Sequence, residues 1–426
     1  MFRIWNSAQQ WAPCSIVGMA LISYGIAFAN SSEAEGRIDD WTQSLSIQTW
    51  TYHSRNSLFA NSLLNPGNRV AQVADSVSVS DTRLDLSLRS PVIDLVLKPR
   101  LLVSNKEVPA RISTRGETFV SQGFGRIRVR DNITVTAGRE LLTWGPSNFR
   151  SPSNPFYYDA GKTSPLQDVP GVDLVRTDWA VGSATTTLGY VEGGRGADQD
   201  WRRSTLLKAD LQGPDYVLGA VWTHARRHSS FVGGYAQVAV GDAILLYGEV
   251  GSSPKAPEAA TDSVQEGAVD KSKPSRGQLA LLGSTYTLLG GQSVSVEYLH
   301  DSRGFRRAAA QEYFDRLPSN PTRRLENGGV LLNVSQYRSG PPQLFGRDYI
   351  FLLYQSNLQD QKQYWRLSTA INLQDLSTQT TAYLEHNVSR NVSLFGSILV
   401  NRGNRNTEFG SVLNRTVTLG AKFFIH

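Results

Sequence analysis

The sequence predicts an all-β chain, a single transmembrane antiparallel up-and-down β-barrel of about 18 strands, within 16–20. Three observations predict it. Apolar and polar residues alternate through most of residues 45–425, as strands with one oily face require. Nothing after Asn30 offers ~18 consecutive apolar residues for a spanning helix. The connections alternate in length. Tight turns such as Ser90-Pro91, Asp131-Asn132, Gly182-Ser183, Gly213-Pro214 and Gly241-Asp242 follow even-numbered strands. Most odd-numbered strands lead into long segments, at 54–81, 104–117, 144–171, 251–277, 302–347 and 403–412, with short exceptions near Arg227 and Asp375-Leu376. A soluble sandwich would mix long and short connections at both ends, whereas a membrane barrel keeps short turns at one rim.

The elements follow in order. Arg3 supplies a positive charge, 14–28 is mostly apolar, and Ala27-Phe28-Ala29 suits cleavage before Asn30, so residues 1–29 are expected to be a signal peptide and 30–426 the barrel. Cleavage removes Cys14, Met1 and Met19, leaving a mature chain with no disulfide and no thiol nucleophile. Strands are expected at 45–53, 82–89, 92–103, 125–130, 133–139, 172–181, 184–191, 204–211 and 216–225. The rest are expected at 231–240, 243–250, 278–288, 293–301, 348–358, 364–373, 378–389, 392–402 and 413–425. Residues 252–277, rich in charge and proline, are expected to be mobile, and 305–317 has the spacing of a short helix at the barrel mouth.

The stretch 124–176 organises the chain. Arg126, Arg128 and Arg130 alternate with Ile127 and Val129, so the arginines share one face of a strand. After the returning strand, Trp144-Gly145-Pro146 opens a long loop holding Phe149, Arg150, Phe156, Tyr157, Tyr158, Asp159 and Asp168. This pattern is the wall of a water-filled barrel with an inward-folding loop that narrows it. Arg83, Arg89, Arg126, Arg128, Arg130, Arg139 and Arg176 are expected to line the pore, facing a constriction loop marked by Trp144, Arg150, Phe156, Tyr157, Asp159 and Asp168. The net charge is +6, with 34 arginines against 9 lysines. Arginine's planar fork suits carboxylate and phosphate, which in an exported chain points to small anionic solutes, lipopolysaccharide phosphates or acidic glycans, with no nucleic-acid partner. Arginines paired with acids along the barrel interior account for most of them.

Catalysis and metal binding find little support. His386 and Ser389 point to opposite faces of one strand, with His386 beside Ala382, Leu384 and Val388 on the lipid side. His224 and His228 flank Arg226-Arg227, a poor metal site with no carboxylate cluster. Asp159 and Asp168 share a loop and are better read as partners of wall arginines than as a glycosidase pair. No catalytic residue, metal or cofactor is expected. Trp50, Tyr52, Trp222, Tyr298, Tyr354, Trp365 and Tyr383 are expected in interfacial girdles. The loop aromatics suit either sugar stacking or burial in the lumen.

The last strand, Thr418-Leu419-Gly420-Ala421-Lys422-Phe423-Phe424-Ile425, resembles the C-terminal assembly signal of Gram-negative outer-membrane proteins, departing from it in ending on His426. That resemblance implies an outer-membrane location, contact with membrane lipid and lipopolysaccharide, and insertion by the assembly machinery. Thr418, Gly420, Phe423 and Ile425 are its signal residues, with Gly420 and Phe423 both expected toward lipid. Asn65-Pro66-Gly67-Asn68, Gly138-Arg139-Glu140 with Trp144-Gly145, and Ser153-Asn154-Pro155 resemble features of large porin-like barrels. The Trp-Gly-Pro element is similar to that of capsule-assembly and alginate-export barrels. The expected function is a channel for small anionic hydrophilic solutes; the alternative is a barrel that binds, retains or exports an acidic surface polysaccharide.

Overall fold

The computed structural model describes residues 41–425 except 109–110, 160–161, 195–200, 226–228, 254–276, 316–343, 358–359 and 361. The expected signal peptide, residues 254–276 of the segment expected to be mobile, His228 and the end of the expected helix lie outside these residues.

Eighteen strands form one sheet. They are β1 (Thr42–Leu58), β2 (Ser76–Arg89), β3 (Ile93–Val108), β4 (Arg111–Arg130), β5 (Ile133–Glu140), β6 (Val172–Val181), β7 (Ala184–Gly193), β8 (Ser204–Gln212) and β9 (Tyr216–Ala225). The circuit continues with β10 (Ser229–Val240), β11 (Ile244–Ser253), β12 (Gly277–Thr287), β13 (Ser293–Asp301), β14 (Asp348–Gln355), β15 (Gln363–Asn372), β16 (Thr378–Ser389), β17 (Val392–Arg402) and β18 (Leu413–Ile425). Each pairs antiparallel with its sequence neighbours. β1 also pairs with β18 from Ile47–Ile425 to Leu58–Leu413, so the sheet closes and has no free edge.

Side-chain alternation sorts the wall. Leu95, Leu97, Leu101, Ile127, Val129, Val175, Leu188, Leu207, Leu282, Leu384 and Leu419 face outward and are exposed, forming the apolar band that lipid covers. Trp179, Tyr216, Tyr286 and Trp365 ring its short-turn side, and Tyr190, Trp222 and Tyr298 its long-loop side. Three expected girdle members lie elsewhere. Trp50, Tyr52 and Tyr383 are on the inner face, where Tyr52 and Tyr383 pack on Phe395 and Trp50 lies between Arg83 and Lys422. Their even or odd positions relative to the outward leucines forbid a lipid-facing orientation. His386 is outward by the same rule.

Two other expectations need correction. Residues 104–117 do not form a long loop: β3 and β4 run on as a hairpin with register through Val108–Arg111. Gly420 faces inward, where a side chain would collide with Phe395, Tyr52 and the Thr51 carbonyl, whereas Phe423 and Ile425 face out.

At the long-loop rim, the chain caps itself. The single described α-helix, α1 (Arg307–Asp315), buries Ala310, Tyr313 and Phe314 against Leu64, Val70, Ala71 and Val73 of the β1–β2 loop and Val412 before β18. The Asn65-Pro66-Gly67-Asn68 element shapes that loop: Asn65 Oδ1 accepts the Val70 and Ala71 amides, and Asn68 Oδ1 accepts that of Val73.

If Leu419 meets lipid, Leu419→Arg should cost about 2–4 kcal/mol in vesicle-reconstituted denaturant unfolding, the expected penalty for a cation at mid-band. A stability equal to wild type would place Leu419 off the lipid face.

Candidate functional site: a lumen crossed by one loop

Residues 141–171, between β5 and β6, cross the lumen and return. The first leg begins at Trp144, whose indole Nε1 donates to the Ser153 carbonyl at 2.9 Å and whose ring meets Phe156 edge-on. Asn154 folds the leg by donating to the Leu142 carbonyl and accepting the Phe156 and Tyr157 amides. Phe156 and Tyr157 then join Val172, Leu174, Leu206, Val221 and Phe231 in a buried cluster along β6–β10.

The crossing ends on two carboxylates of the opposite wall. Glu249 on β11 accepts the Ser147 amide at 3.0 Å and both the amide and hydroxyl of Ser153, at 3.3 and 2.7 Å. Glu297 on β13 accepts the Asn148 and Phe149 amides at 2.5 and 2.9 Å and the Tyr247 hydroxyl at 2.7 Å. Phe149 stacks flat on Phe351 of β14 at 4.6 Å. Lys162 closes the turn by donating to the Ser147 carbonyl and Ser151 Oγ, both at 2.7 Å. Burial pushes its ammonium pKa down, against the fields of Glu249 and Glu297. The wall makes room: at Gly251 a Cβ would strike the Pro152 carbonyl, and at Gly145, with φ of +80°, it would strike the Glu249 carboxylate.

The returning leg is held by arginines. Arg100 of β3, 5% exposed, donates to Asp168 at 2.7 Å and to Asp85 at 2.7 Å. Arg83 pairs with Asp81 at 2.7 Å, stacks on Trp50 and reaches the Leu166 carbonyl. Asp159 meets Arg150 within the loop at 3.2 Å.

The expected pore-lining set divides. Arg126 and Arg176 share Glu140, at 2.8 and 2.9 Å, and Arg176 also reaches Asp178. Arg128 pairs with Asp94 at 2.7 Å while remaining 42% exposed. Arg89, Asp94, Arg126 and Arg128, with Val96 and Phe124, line a cavity of about 280 Å³ toward the short-turn end of the lumen. Arg89 has no ion pair among the described residues. Arg130 lies beyond a β-bulge at Arg128/Arg130 and is exposed at the rim. Arg139 is on the outer face, held in a fork by Asp173 at 2.8 and 2.7 Å, because it shares parity with Val135 and Ala137.

A second cavity, of about 340 Å³, separates the loop from the far wall. Thr163 to Gln167 and Arg150 form one side; Asn56, Gln379, Thr381, Ser397, Thr416 and Thr418 offer hydroxyl and amide groups from the other. Phe409, from the β17–β18 loop, sits at its edge. The neighbouring Glu408 is buried, accepting from Tyr349 Oη at 2.6 Å, Asn372 Nδ2 at 2.7 Å and the Phe345 amide at 2.9 Å.

Sequence reasoning missed Glu249, Glu297, Arg100, Lys162 and Glu408. Glu249 stands between Gly248 and the Val250-Gly251 pair, and a carboxylate flanked by glycines at an inward position was a usable signal. The other four carry no local mark.

No family model and no curated protein matches the sequence. Solved structures do. The chain is similar to OccK11 (OpdR) of Pseudomonas aeruginosa, at 12% identity and TM-score 0.55 over 92% of this chain and 97% of that one. It is similar to OccK7 (OpdD) of the same organism, at 10% identity and TM-score 0.53 over 91% and 99%. Acinetobacter baumannii OccAB1 matches at 11% identity and TM-score 0.50, over 94% and 100%. At these identities the likeness is one of fold, that of a Gram-negative porin-like barrel.

Two predictions concern the loops. Replacing Glu249 with Ala strips three donors of their acceptor, and hydrogen bonds to a charged group contribute ~1.5–3 kcal/mol each. Exchange of the Ser147 and Ser153 amides should therefore accelerate by roughly tenfold or more; unchanged protection would refute the anchoring. Burial pushes the Glu408 carboxyl up to about 7, with Asp375 adding to the rise. The docked loop thus holds a proton that a solvated glutamate, near ~4.3, releases earlier. Docking is fully favoured below that lower value and weakens as pH rises through about 7. Protection of the Phe409 amide, corrected for intrinsic rate, should fall between about pH 5 and pH 8 in wild type. It should stay level in Glu408→Gln.

Proposed function

We propose that the protein is an outer-membrane channel through which small hydrophilic solutes, preferentially anions, diffuse past the 141–171 loop. The observation that carries this reading is the crossing itself. A loop anchored on β11 and β13 and returned to β2–β3 narrows a closed barrel, and a cavity of about 340 Å³ with hydroxyl and amide walls remains beside it. Such groups exchange hydrogen bonds with a hydrated solute without holding it, which suits passage. The outer-membrane fold of the similar structures supports the location.

The preference for anions rests on Arg89, Arg126, Arg128 and Arg176 beyond the constriction. Their acids neutralise much of this charge, yet Arg89 has no described partner and Arg128 stays exposed to the lumen. Fixed positive charge in a narrow aqueous passage raises the local anion concentration. The polysaccharide reading loses its main support, because Phe149, Phe156 and Tyr157 are 3%, 1% and 2% exposed and have no free face for a sugar ring.

Planar-bilayer recordings test this. Arg126→Glu with Arg128→Glu should shift the anion-to-cation permeability ratio several-fold toward cations. That shift should shrink at ~1 M salt, where screening falls to about 3 Å. Deleting 147–165 should raise conductance. A wild-type barrel that stays closed, with no conductance gained on deletion, would overturn the channel.

A further inference from the structure

On the outer face, at the long-loop rim, three strands that meet at the barrel seam carry an arginine each. Arg55 on β1, Arg415 on β18 and Arg402 on β17 are exposed. Their outward direction follows from alternation with inward, hydrogen-bonded neighbours. Asn56 accepts from the Thr416 hydroxyl, and Asn401 donates to the Leu413 carbonyl. In register, Arg415 opposes Ser57 and Val400, while Arg55 opposes Val417. Arg55 and Arg402 are therefore the two diagonal neighbours of Arg415, with side chains starting about 7–8 Å apart. The three guanidinium groups have no ion pair or hydrogen bond among the described residues.

Several other outward polar groups at this rim are paired. Arg203 meets Glu192, Arg139 meets Asp173, and His300 and Tyr298 share Asp348. Two acids lie near the seam, exposed Asp75, whose carbonyl accepts the Asn56 amide, and Glu107, which accepts from Ser76, the residue opposite Arg55; neither forms an ion pair with the three arginines. Immediately toward the membrane, the same face carries Val417, Leu419 and Ile398, all exposed. Three unneutralised forks thus stand in a diagonal row directly above an apolar surface.

We infer that this seam is a docking surface for a phosphorylated lipid of the outer leaflet. Its acyl chains would lie along Val417, Leu419 and Ile398, and its headgroup phosphates would take Arg55, Arg402 and Arg415. The chemistry is complementary on both counts. Clustered like charges at an interface repel unless an anion joins them, and a phosphate accepts two parallel N–H bonds from one guanidinium. Cations just outside an apolar band bind anionic headgroups where the local field is least screened. A free phosphate would satisfy only the charges, whereas a lipid satisfies the charges and the adjoining apolar strip. The inference rests on outer-membrane placement and not on transport.

The test uses purified, folded full-length barrel in neutral detergent, with bisphosphorylated lipid A as probe and native mass spectrometry as readout. Heat-modifiable gel mobility verifies that each variant is folded. Wild type should retain lipid A, and the triple variant Arg55→Gln, Arg402→Gln, Arg415→Gln should bind it about tenfold or more weakly, a change of ~1.4 kcal/mol or more. Arg126→Gln, altered on the inner face, should bind as wild type. Equal binding by the triple variant would overturn the proposal. So would equal binding of dephosphorylated lipid A, which would leave the acyl chains as sole contact. Inorganic phosphate competing at the same concentration as lipid A would reduce the site to a simple anion site and overturn the lipid assignment.

Discussion

Two carboxylates on the far wall decide the shape of the lumen. A loop crossing a barrel brings backbone amides away from bulk water, and each must find an acceptor. Glu249 and Glu297 supply acceptors for five loop donors between them. A carboxylate accepts several hydrogen bonds at once, and each bond to an ionised acceptor is about twice as strong as one to a neutral group. Their mutual repulsion is eased by Lys162, which the loop itself carries. Without these anchors the apolar patch of Phe149, Phe351 and Tyr349 would have little to hold it in register, since stacking is tolerant of sliding.

The positive side of the lumen follows from that placement. Because the loop reaches across to β11–β14, its second leg must come back, and it lands on Arg83 and Arg100. Those two cations are structural: they hold the constriction and are largely unavailable to a solute. Other inward cations, Arg89 and Arg128 among them, line the cavity nearer the short turns. Inward arginines therefore fall into two groups, separated by whether the returning leg of the loop reaches them.

The barrel was legible because its signals are local. Alternation places Val172–Val181, Tyr216–Ala225, Ser293–Asp301, Thr378–Ser389, Val392–Arg402 and Leu413–Ile425 with the same bounds in sequence and structure. Turn residues gave the short rim, and helical spacing gave Arg307–Asp315. The misplaced side chains share a cause, which is that residue type does not reveal parity. Arg139, Trp50, Tyr383 and Gly420 each have the residue type expected on one face and the strand position of the other. The hairpin at 104–117 was hidden because its polar, charged residues resemble a loop, although backbone pairing with a neighbour is indifferent to that. Glu249 and Glu297 escaped notice because their partners lie 96 to 149 residues earlier in the chain.

That separation has a consequence for biogenesis. Loop residues Ser147 to Ser153 leave the ribosome well before the strands bearing their acceptors, and β1 meets its partner β18 only when the final residues arrive. Long-range closures cost chain entropy before any contact offsets it. The constriction and the seam should consequently form after the local hairpins between neighbouring strands. Any factor that shields β1 until β18 is delivered also protects the interval in which the loop finds its anchors. The width of the lumen, on this view, is set at the moment of closure.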